Sequence, residues 1–253
     1  MRPTRLPMTH TSLHLRRFKS DKRINSFLNR VQGDSFVSER KTSLYKSRAA
    51  FKLLEIDAAH RLFNKNTRNI ADLGFAPGAW TQVAVQRLEA QKVAYNILGV
   101  DINPASPVRG CHYIQGDVTK KSTHARIVEF FKNRDERDKV ESAGDGQHLD
   151  FIMSDMMVNA MGSGLSDHDG NMYLCSAALL LAYNQLKPGC NILLKVWLGQ
   201  ELEEFVDRMK LMFAHVNTIK PKASRSILSE LYVLGKKKYD MKERGVTIEQ
   251  LFG

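Results

Sequence analysis

Apolar residues recur along this chain with two periods, one typical of helices and one typical of buried strands. Ala50, Leu53, Leu54 and Ile56 fall on one side of a 3.6-residue period, which predicts a helix with an apolar face. Short apolar runs bounded by glycine, proline or acidic residues follow, and these predict buried strands. The first run, 68–75, ends in a loop that carries two glycines.

Strands and helices then alternate to the end of the pattern. The predicted strands span 68–75, 95–102, 112–118, 149–156, 191–198, 215–220 and 230–235, with helices ending near 88 and spanning about 123–132, 172–186 and 201–213. Pro188 and Gly189 are predicted to terminate the third of these helices. The second and third strands are predicted to end at the acidic residues Asp101 and Asp117. The pattern predicts an α/β, Rossmann-like fold: a mostly parallel seven-stranded sheet with helices on both faces and ligands beyond the carboxyl ends of its strands.

Composition fits one domain with short extensions. The chain has 253 residues, of which 43% are hydrophobic and 26% charged. We assign 42–238 to the domain, 21–41 to a basic arm and 239–253 to a C-terminal tail. No apolar run approaches the roughly 18 residues that a membrane span needs. The net charge of +11 favours a polyanionic partner, either nucleic acid or an anionic surface.

Cysteines and metal-ligand types do not form a recognisable site. Cys111, Cys175 and Cys190 are odd in number and lack C-x-x-C spacing, which argues against a disulfide framework and a structural zinc, and favours a reducing compartment. The run Asp167-His168-Asp169 could hold a metal, but without a companion ligand run it is better read as capping or solvent-exposed. We expect no metal.

The first twenty residues differ from the rest. They contain Arg2, Arg5, Arg16, Arg17 and Lys19, several hydroxyl residues and no acidic residue. With no continuous apolar region, this composition is typical of a mitochondrial transit peptide and predicts a matrix location. Pro3 and Pro7 weaken the helix that such a peptide forms. The alternative is a basic arm that contacts RNA directly.

The loop after the first strand predicts a nucleotide-like ligand. Gly74 and Gly78 let the backbone turn tightly and approach a ligand closely. Their spacing is G-x-x-x-G rather than G-x-G-x-x-G, which disfavours a nicotinamide dinucleotide. Asp101 could accept hydrogen bonds from ribose hydroxyls and Asp117 from an adenine amine. Together the two fit the adenosine of S-adenosylmethionine, although an acidic residue at a strand end is often only a turn residue.

Six motifs, in order and spacing, resemble the RrmJ/FtsJ family of ribose 2′-O-methyltransferases over about 42–238. They are Ser47-Arg48-Ala49-Ala50-Phe51-Lys52-Leu53, Asp72-Leu73-Gly74-Phe75-Ala76-Pro77-Gly78-Ala79-Trp80, Gln115-Gly116-Asp117, Ser154-Asp155-Met156, Leu194-Lys195-Val196 and Ser229-Glu230-Leu231-Tyr232.

The resemblance implies a site and a substrate. The family's catalytic Lys-Asp-Lys-Glu tetrad would fall on Lys52, Asp155, Lys195 and Glu230. Cofactor contacts would fall on Gly74, Pro77, Gly78, Trp80, Asp101, Asp117 and Asp155. The segment 220–225 and Lys195-Val196-Trp197 look most like the mitochondrial branch, which modifies a uridine of large-subunit ribosomal RNA. The expected partner is therefore this RNA or the assembling large subunit.

Two positions depart from the family pattern. Met157-Val158 stand where the family commonly has Ala-Pro before the asparagine, here Asn159, which could reshape the substrate channel. Ala79 replaces the second glycine of Pro-Gly-Gly-Trp, a change that helical backbone tolerates. Neither departure removes a catalytic group.

A ribose 2′-hydroxyl is a poor nucleophile at neutral pH, so methyl transfer gains from a positioned base and in-line alignment. A lysine serves as base only after its ammonium loses a proton, which burial and a second cation favour. Lys52 supplies that cation for Lys195, while Asp155 and Glu230 oppose the loss and are better suited to orient Lys195. The base assignment therefore stays a hypothesis that rests partly on resemblance.

Two other functions remain open. The same chemistry could act on tRNA or an mRNA cap outside mitochondria, or the chain could be a ribosome-assembly factor that mainly binds RNA. No separate RNA-binding domain is visible, so phosphate contacts are expected from Arg48, Lys222 and Arg225.

Overall fold

A computed structural model describes residues 44–134, 146–158, 164–199, 201–224 and 230–252, with residues 164–168 described by their backbone alone. The predicted transit peptide and arm, Asn159, Arg225 and Ser229 therefore lie outside the described residues. The side chains of Asp167 and His168 do as well.

The described helices and strands alternate as the sequence pattern predicts. The helices are α1 Ala49–His60, α2 Ala79–Ala90, α3 Lys121–Lys132, α4 Gly164–Gln185, α5 Leu202–Met212, α6 Met241–Arg244 and α7 Ile248–Phe252. The strands are β1 Asn69–Leu73, β2 Asn96–Asp101, β3 His112–Gln115, β4 Leu149–Ser154, β5 Leu186–Trp197, β6 Phe213–Ile219 and β7 Glu230–Lys238.

The strands form one seven-stranded sheet in the order β3-β2-β1-β4-β5-β7-β6. The first five strands are parallel, and β7 runs antiparallel to both β5 and β6. This confirms the predicted mostly parallel Rossmann-like sheet. Chain order reverses between β1 and β4, and such a switch point opens a crevice beyond the carboxyl ends of the strands.

Both faces of the central strands are covered. Every residue of β1 and β4 is buried, as expected for parallel strands between two helical layers. Ile70 and Met153 belong to a core cluster with α1 and α2, while their neighbours Ala71 and Ile152 belong to a second cluster with α4 and α5. Successive side chains of a strand point to opposite faces, so the continuous apolar runs build two cores.

The main differences from the predicted boundaries are in α4, β5 and β3. Helix α4 begins eight residues early, at Gly164, and ends at Gln185, so Pro188-Gly189 lie within β5 instead of capping the helix. There Gly189 has φ +78° and the pairing with β4 shifts register between Leu149 and Phe151. Strand β3 ends at Gln115, so Asp117 lies two residues beyond it rather than at its end.

The segment assigned to a C-terminal tail packs on the domain. Met241 and Leu251 are buried in the core cluster of α4 and α5. Tyr183 donates a hydrogen bond from its hydroxyl to the backbone oxygen of Val246 at 2.8 Å. None of the described helices is long and apolar enough to cross a membrane.

Candidate active site

A cavity of about 550 Å³ opens at the carboxyl ends of the parallel strands. The pairing register places Leu73 beside both Val100 and Ser154, and Ser154 beside Leu194, so these strands end at a common edge. The cavity is lined by residues at or just beyond these strand ends and by two residues of α4: Gly74, Ala76, Val100, Asp101, Ile102, Asn103, Gly116, Asp117, Val118, Thr119, Asp155, Met156, Met157, Val158, Tyr173, Leu174 and Lys195.

The glycine loop after β1 forms one wall of this cavity. Gly74 has φ +76°, and a Cβ there would lie 2.8 Å from backbone atoms of Met156, so no larger residue fits. The amide of Ala76 donates to Asp101 Oδ2 at 2.8 Å, which ties the loop to the end of β2. Backbone groups of the loop are thus held close to the open space.

Asp101 is 9% exposed and lines the cavity at the end of β2. Its Oδ1 accepts hydrogen bonds from the backbone and side-chain nitrogens of Asn103 at 2.8 and 3.1 Å. These bonds fix the carboxylate in one orientation. A carboxylate oxygen accepts more than one hydrogen bond, so Asp101 can still accept from ligand hydroxyls.

Asp117 also lines the cavity, in the loop after β3. Its Oδ1 accepts from the backbone amide and the hydroxyl of Thr119 at 2.9 and 2.7 Å. Burial raises the pKa of Asp117, but these two hydrogen bonds and nearby Lys120 outweigh it and lower the pKa below its ordinary value. Asp117 is therefore an ionised acceptor at neutral pH.

Three predicted cofactor residues do not line the cavity. Pro77 and Gly78 precede α2, and a Cβ on Gly78 would approach the ring of Phe75 within 2.7 Å. Trp80 is buried, donating from Nε1 to the Ala49 oxygen at 3.0 Å. Trp80 thus packs on α1, and none of the three residues is among those that line the cavity.

Lys195 and Asp155 form a buried pair at the cavity wall. Lys195 Nζ lies 3.2 Å from Asp155 Oδ1 and donates to the Asp155 backbone oxygen at 2.5 Å. The Lys195 side chain is 6% exposed. The Asp155 amide donates to the Leu73 oxygen at 3.2 Å, which holds this residue beside the glycine loop. The ammonium is therefore held at one point beside the cavity.

Lys52 and Glu230 form a second pair, with Lys52 Nζ 2.6 Å from Glu230 Oε1. Burial raises the pKa of Glu230, but contact with Lys52 and Ser224 and the charge of Lys195 outweigh it, so the pKa is lowered. Since Lys195 acts on Glu230 through its charge, the two pairs are electrostatically coupled. All four tetrad residues are thus brought to one region from α1, β4, β5 and β7.

Sequence reasoning did not assign Tyr232 a role. Its hydroxyl donates to Asp155 Oδ1 at 2.8 Å, so Asp155 accepts from both Tyr232 and Lys195. Burial and the nearby charges of Asp155 and Glu230 raise the pKa of Tyr232 well above its ordinary value, so it remains a donor. The sequence feature that could have indicated this role is the two-residue spacing between Glu230 and Tyr232, which places both side chains on one face of β7.

Asp72, at the end of β1, was also passed over. It is 1% exposed, and its Oδ2 accepts from the Thr81 hydroxyl at 2.7 Å. Burial raises the pKa of Asp72 to about 7. Hydrogen bonds from Thr81 oppose this rise, and the negative charges of Asp155 and Asp101 add to it. The carboxyl ties the glycine loop to helix α2.

Two of the three predicted phosphate contacts, Arg48 and Lys222, are on the surface. Arg48 directly precedes α1 and Lys222 follows β6, and both are exposed. By contrast, Lys238 is buried and donates to the backbone oxygens of Tyr183 and Leu186 at 2.9 and 2.6 Å. Lys238 is thus committed to the fold.

Comparison with known proteins agrees with this geometry. Residues 45–238 match the family described as FtsJ-like methyltransferase. Two bacterial proteins named ribosomal RNA large subunit methyltransferase E are similar in sequence. That of Gluconobacter oxydans is 38% identical over 208 residues, 82% of this chain and 70% of its own. That of Azoarcus sp. is 36% identical over 217 residues, 86% of this chain and 98% of its own.

A solved structure is also similar. A Plasmodium falciparum protein assigned as a ribosomal RNA methyltransferase superposes with a TM-score of 0.62 at 28% identity, covering 77% of this chain and 98% of its own.

Proposed function

Since the chain belongs to the FtsJ-like methyltransferase family, we propose that it transfers a methyl group from S-adenosylmethionine to a ribose 2′-hydroxyl of large-subunit ribosomal RNA. The observation that carries this proposal is the pair of lysine–carboxylate contacts, Lys195–Asp155 and Lys52–Glu230, beside the cavity. The names of the bacterial relatives support the RNA class.

The residues around the cavity fit S-adenosylmethionine. Gly74 lines the cavity, and its missing Cβ lets the loop backbone pack closely against Met156. Asp101 is oriented to accept from ribose hydroxyls, and the ionised Asp117 to accept from an adenine amine. When bound, the sulfonium of this cofactor supplies an activated methyl group.

The chain's own residues would then handle the proton. In this proposal Lys195, positioned by Asp155, acts as general base in its neutral amine form and takes the proton of the 2′-hydroxyl as that oxygen accepts the methyl group. Tyr232 donates to Asp155, and Asp155 in turn fixes the position of the Lys195 nitrogen. Lys52 places a second positive charge in the tetrad. Glu230 holds Lys52 in place.

We further propose that the target nucleotide is a uridine and that the protein is located in the mitochondrial matrix. Both rest on the resemblance of 220–225 and 195–197 to the mitochondrial branch and on the acid-free, arginine-rich residues 1–20. A fluorescent fusion lacking 1–20 should lose mitochondrial localisation. Retained localisation would instead favour the basic-arm interpretation.

The substrate can be tested by single-turnover transfer of labelled methyl from S-adenosylmethionine to large-subunit RNA, tRNA and capped RNA. We expect label only in large-subunit RNA, at a 2′-oxygen located by nuclease mapping. Label in tRNA or the cap would change the substrate class. RNA binding without transfer would favour the assembly-factor role.

A further inference from the structure

Residues 221–224, the described start of the basic connection between β6 and β7, are tied to helix α1 by the side chain of Glu55. Glu55 Oε1 accepts a hydrogen bond from the Lys222 amide at 2.9 Å, and Oε2 accepts from the Ala223 amide at 3.1 Å. The Ser224 amide donates to the Pro221 oxygen at 3.1 Å and closes a turn. Both oxygens of one carboxylate are thus engaged by consecutive backbone amides.

The other end of the connection meets the same helix. Lys52, three residues before Glu55 on α1, pairs with Glu230 at 2.6 Å. Lys220 Nζ donates to the Glu230 backbone oxygen at 2.7 Å. Residues three apart on a helix share a face, so one face of α1 holds both ends of the connection.

Packing of α1 does not depend on Glu55. The helix is held in the core by Leu53, Leu54 and Ile56, which are at most 6% exposed. Glu55 itself is only half-buried and contacts backbone at the surface. The Glu55 carboxylate therefore affects the position of residues 221–224 and not the packing of α1.

We infer that Glu55 is a positioning residue for the RNA substrate. It holds residues 221–224 against α1, so that the exposed side chain of Lys222 is presented next to this helix. This rests on the proposed RNA methyl transfer. Because phosphate contacts set the register of a bound nucleic acid, a displaced connection weakens RNA binding more than it slows the chemical step.

The test is Glu55→Gln, which keeps the side-chain shape but removes the charge and one acceptor. Charge-assisted hydrogen bonds of this kind correspond to about a tenfold effect, so KM for RNA should rise about tenfold. The kcat at saturating RNA should stay within about twofold, since Glu230 is held by the pairing of β7 with β5 and not by Glu55. The dissociation constant for S-adenosylmethionine should not change. Glu129→Gln, at an exposed position of α3, is the matched control and should leave all three values unchanged.

If Glu55→Gln only destabilised the fold, apparent kcat would fall while KM stayed constant, the reverse of the expected rise in KM at nearly constant kcat. Amide hydrogen exchange of the full chain gives a readout that does not depend on RNA. The amides of Lys222 and Ala223 should exchange faster in Glu55→Gln than in wild type and Glu129→Gln. Unchanged exchange overturns the inference whatever the kinetics show, and so does an unchanged KM for RNA. If wild type methylates no RNA while these amides still exchange faster, the proposed function fails but the anchoring by Glu55 stands.

Discussion

Replacing Lys195 with arginine separates a basic role from a purely electrostatic one. The Lys195 side chain is 6% exposed, and its Nζ contacts both Oδ1 and the backbone oxygen of Asp155. A guanidinium keeps the positive charge and can still pair with Asp155, but it does not release a proton at working pH. General-base catalysis contributes about 10²–10⁴-fold to a rate. Lys195→Arg should therefore lose roughly 3–5 kcal/mol of transition-state stabilisation.

Lys195→Ala should lose at least as much activity, and its effect on folding can be bounded. Breaking a buried ion pair costs on the order of 3–5 kcal/mol. The cost here should lie at the low end, because the Asp155 side chain is 18% exposed and keeps its hydrogen bond from Tyr232. A thermal melt of each variant separates misfolding from lost chemistry.

The assay is single-turnover methyl transfer, with S-adenosylmethionine affinity measured by calorimetry. Both variants should bind the cofactor nearly as wild type does, because a general base acts in the transition state. Lys210→Ala, which removes an exposed lysine paired with Asp207, is the control and should retain full activity. If Lys195→Arg transfers methyl at close to the wild-type rate, Lys195 is a positioning cation and the base mechanism is wrong.

Three further outcomes can be measured. Asp101→Ala should weaken S-adenosylmethionine binding by about 1–3 kcal/mol through lost charge-assisted hydrogen bonds, and unchanged affinity by calorimetry would remove Asp101 from the site. Burial raises the pKa of Asp72 from 3.8 to about 7, so the folded state binds more protons than the unfolded state between these values. The free energy of unfolding of wild type relative to Asp72→Asn should therefore be highest below pH 3.8 and fall as pH rises to about 7. Urea unfolding of both proteins measures this difference. A difference between their urea midpoints that stays constant across this pH range would contradict the prediction. RNA affinity should fall steeply with salt through counterion release, with a shallower slope for Lys222→Ala, and an affinity insensitive to ionic strength would exclude phosphate contacts.

Periodicity was sufficient to predict the central sheet because its strands are buried on both faces and read as continuous apolar runs. Periodicity was less informative where hydrogen bonds of a local turn end a strand or helix. Asp117 accepts from the amide and hydroxyl of Thr119, and this local turn replaces the last part of the predicted third strand. Pro188 and Gly189 mark an irregularity in β5 that sequence alone does not distinguish from a helix end.

The site, too, could be predicted from the sequence only in part. The order of the motifs was sufficient to identify the tetrad residues, but the partner of each lysine depends on tertiary contacts between elements far apart in sequence. Trp80 illustrates the limit, since its motif position does not show that the indole donates to Ala49 of α1 and lies 5.7 Å from the ring of Tyr232. Its motif position identifies the loop, whereas the direction of the side chain follows from packing.

The antiparallel pairing of β5 and β7 explains why the tetrad comes together. Lys195 lies opposite Tyr232 and Trp197 lies opposite Glu230, and directly opposed residues of a pair project on the same face. Lys195, Tyr232 and Glu230 therefore share one face, next to Asp155 at the end of β4. A slip of one residue in this register would turn Tyr232 and Glu230 to the other face and separate them from Lys195 and Lys52. The reversed direction of β7 is thus what delivers a carboxylate from late in the chain to a cleft built by parallel strands.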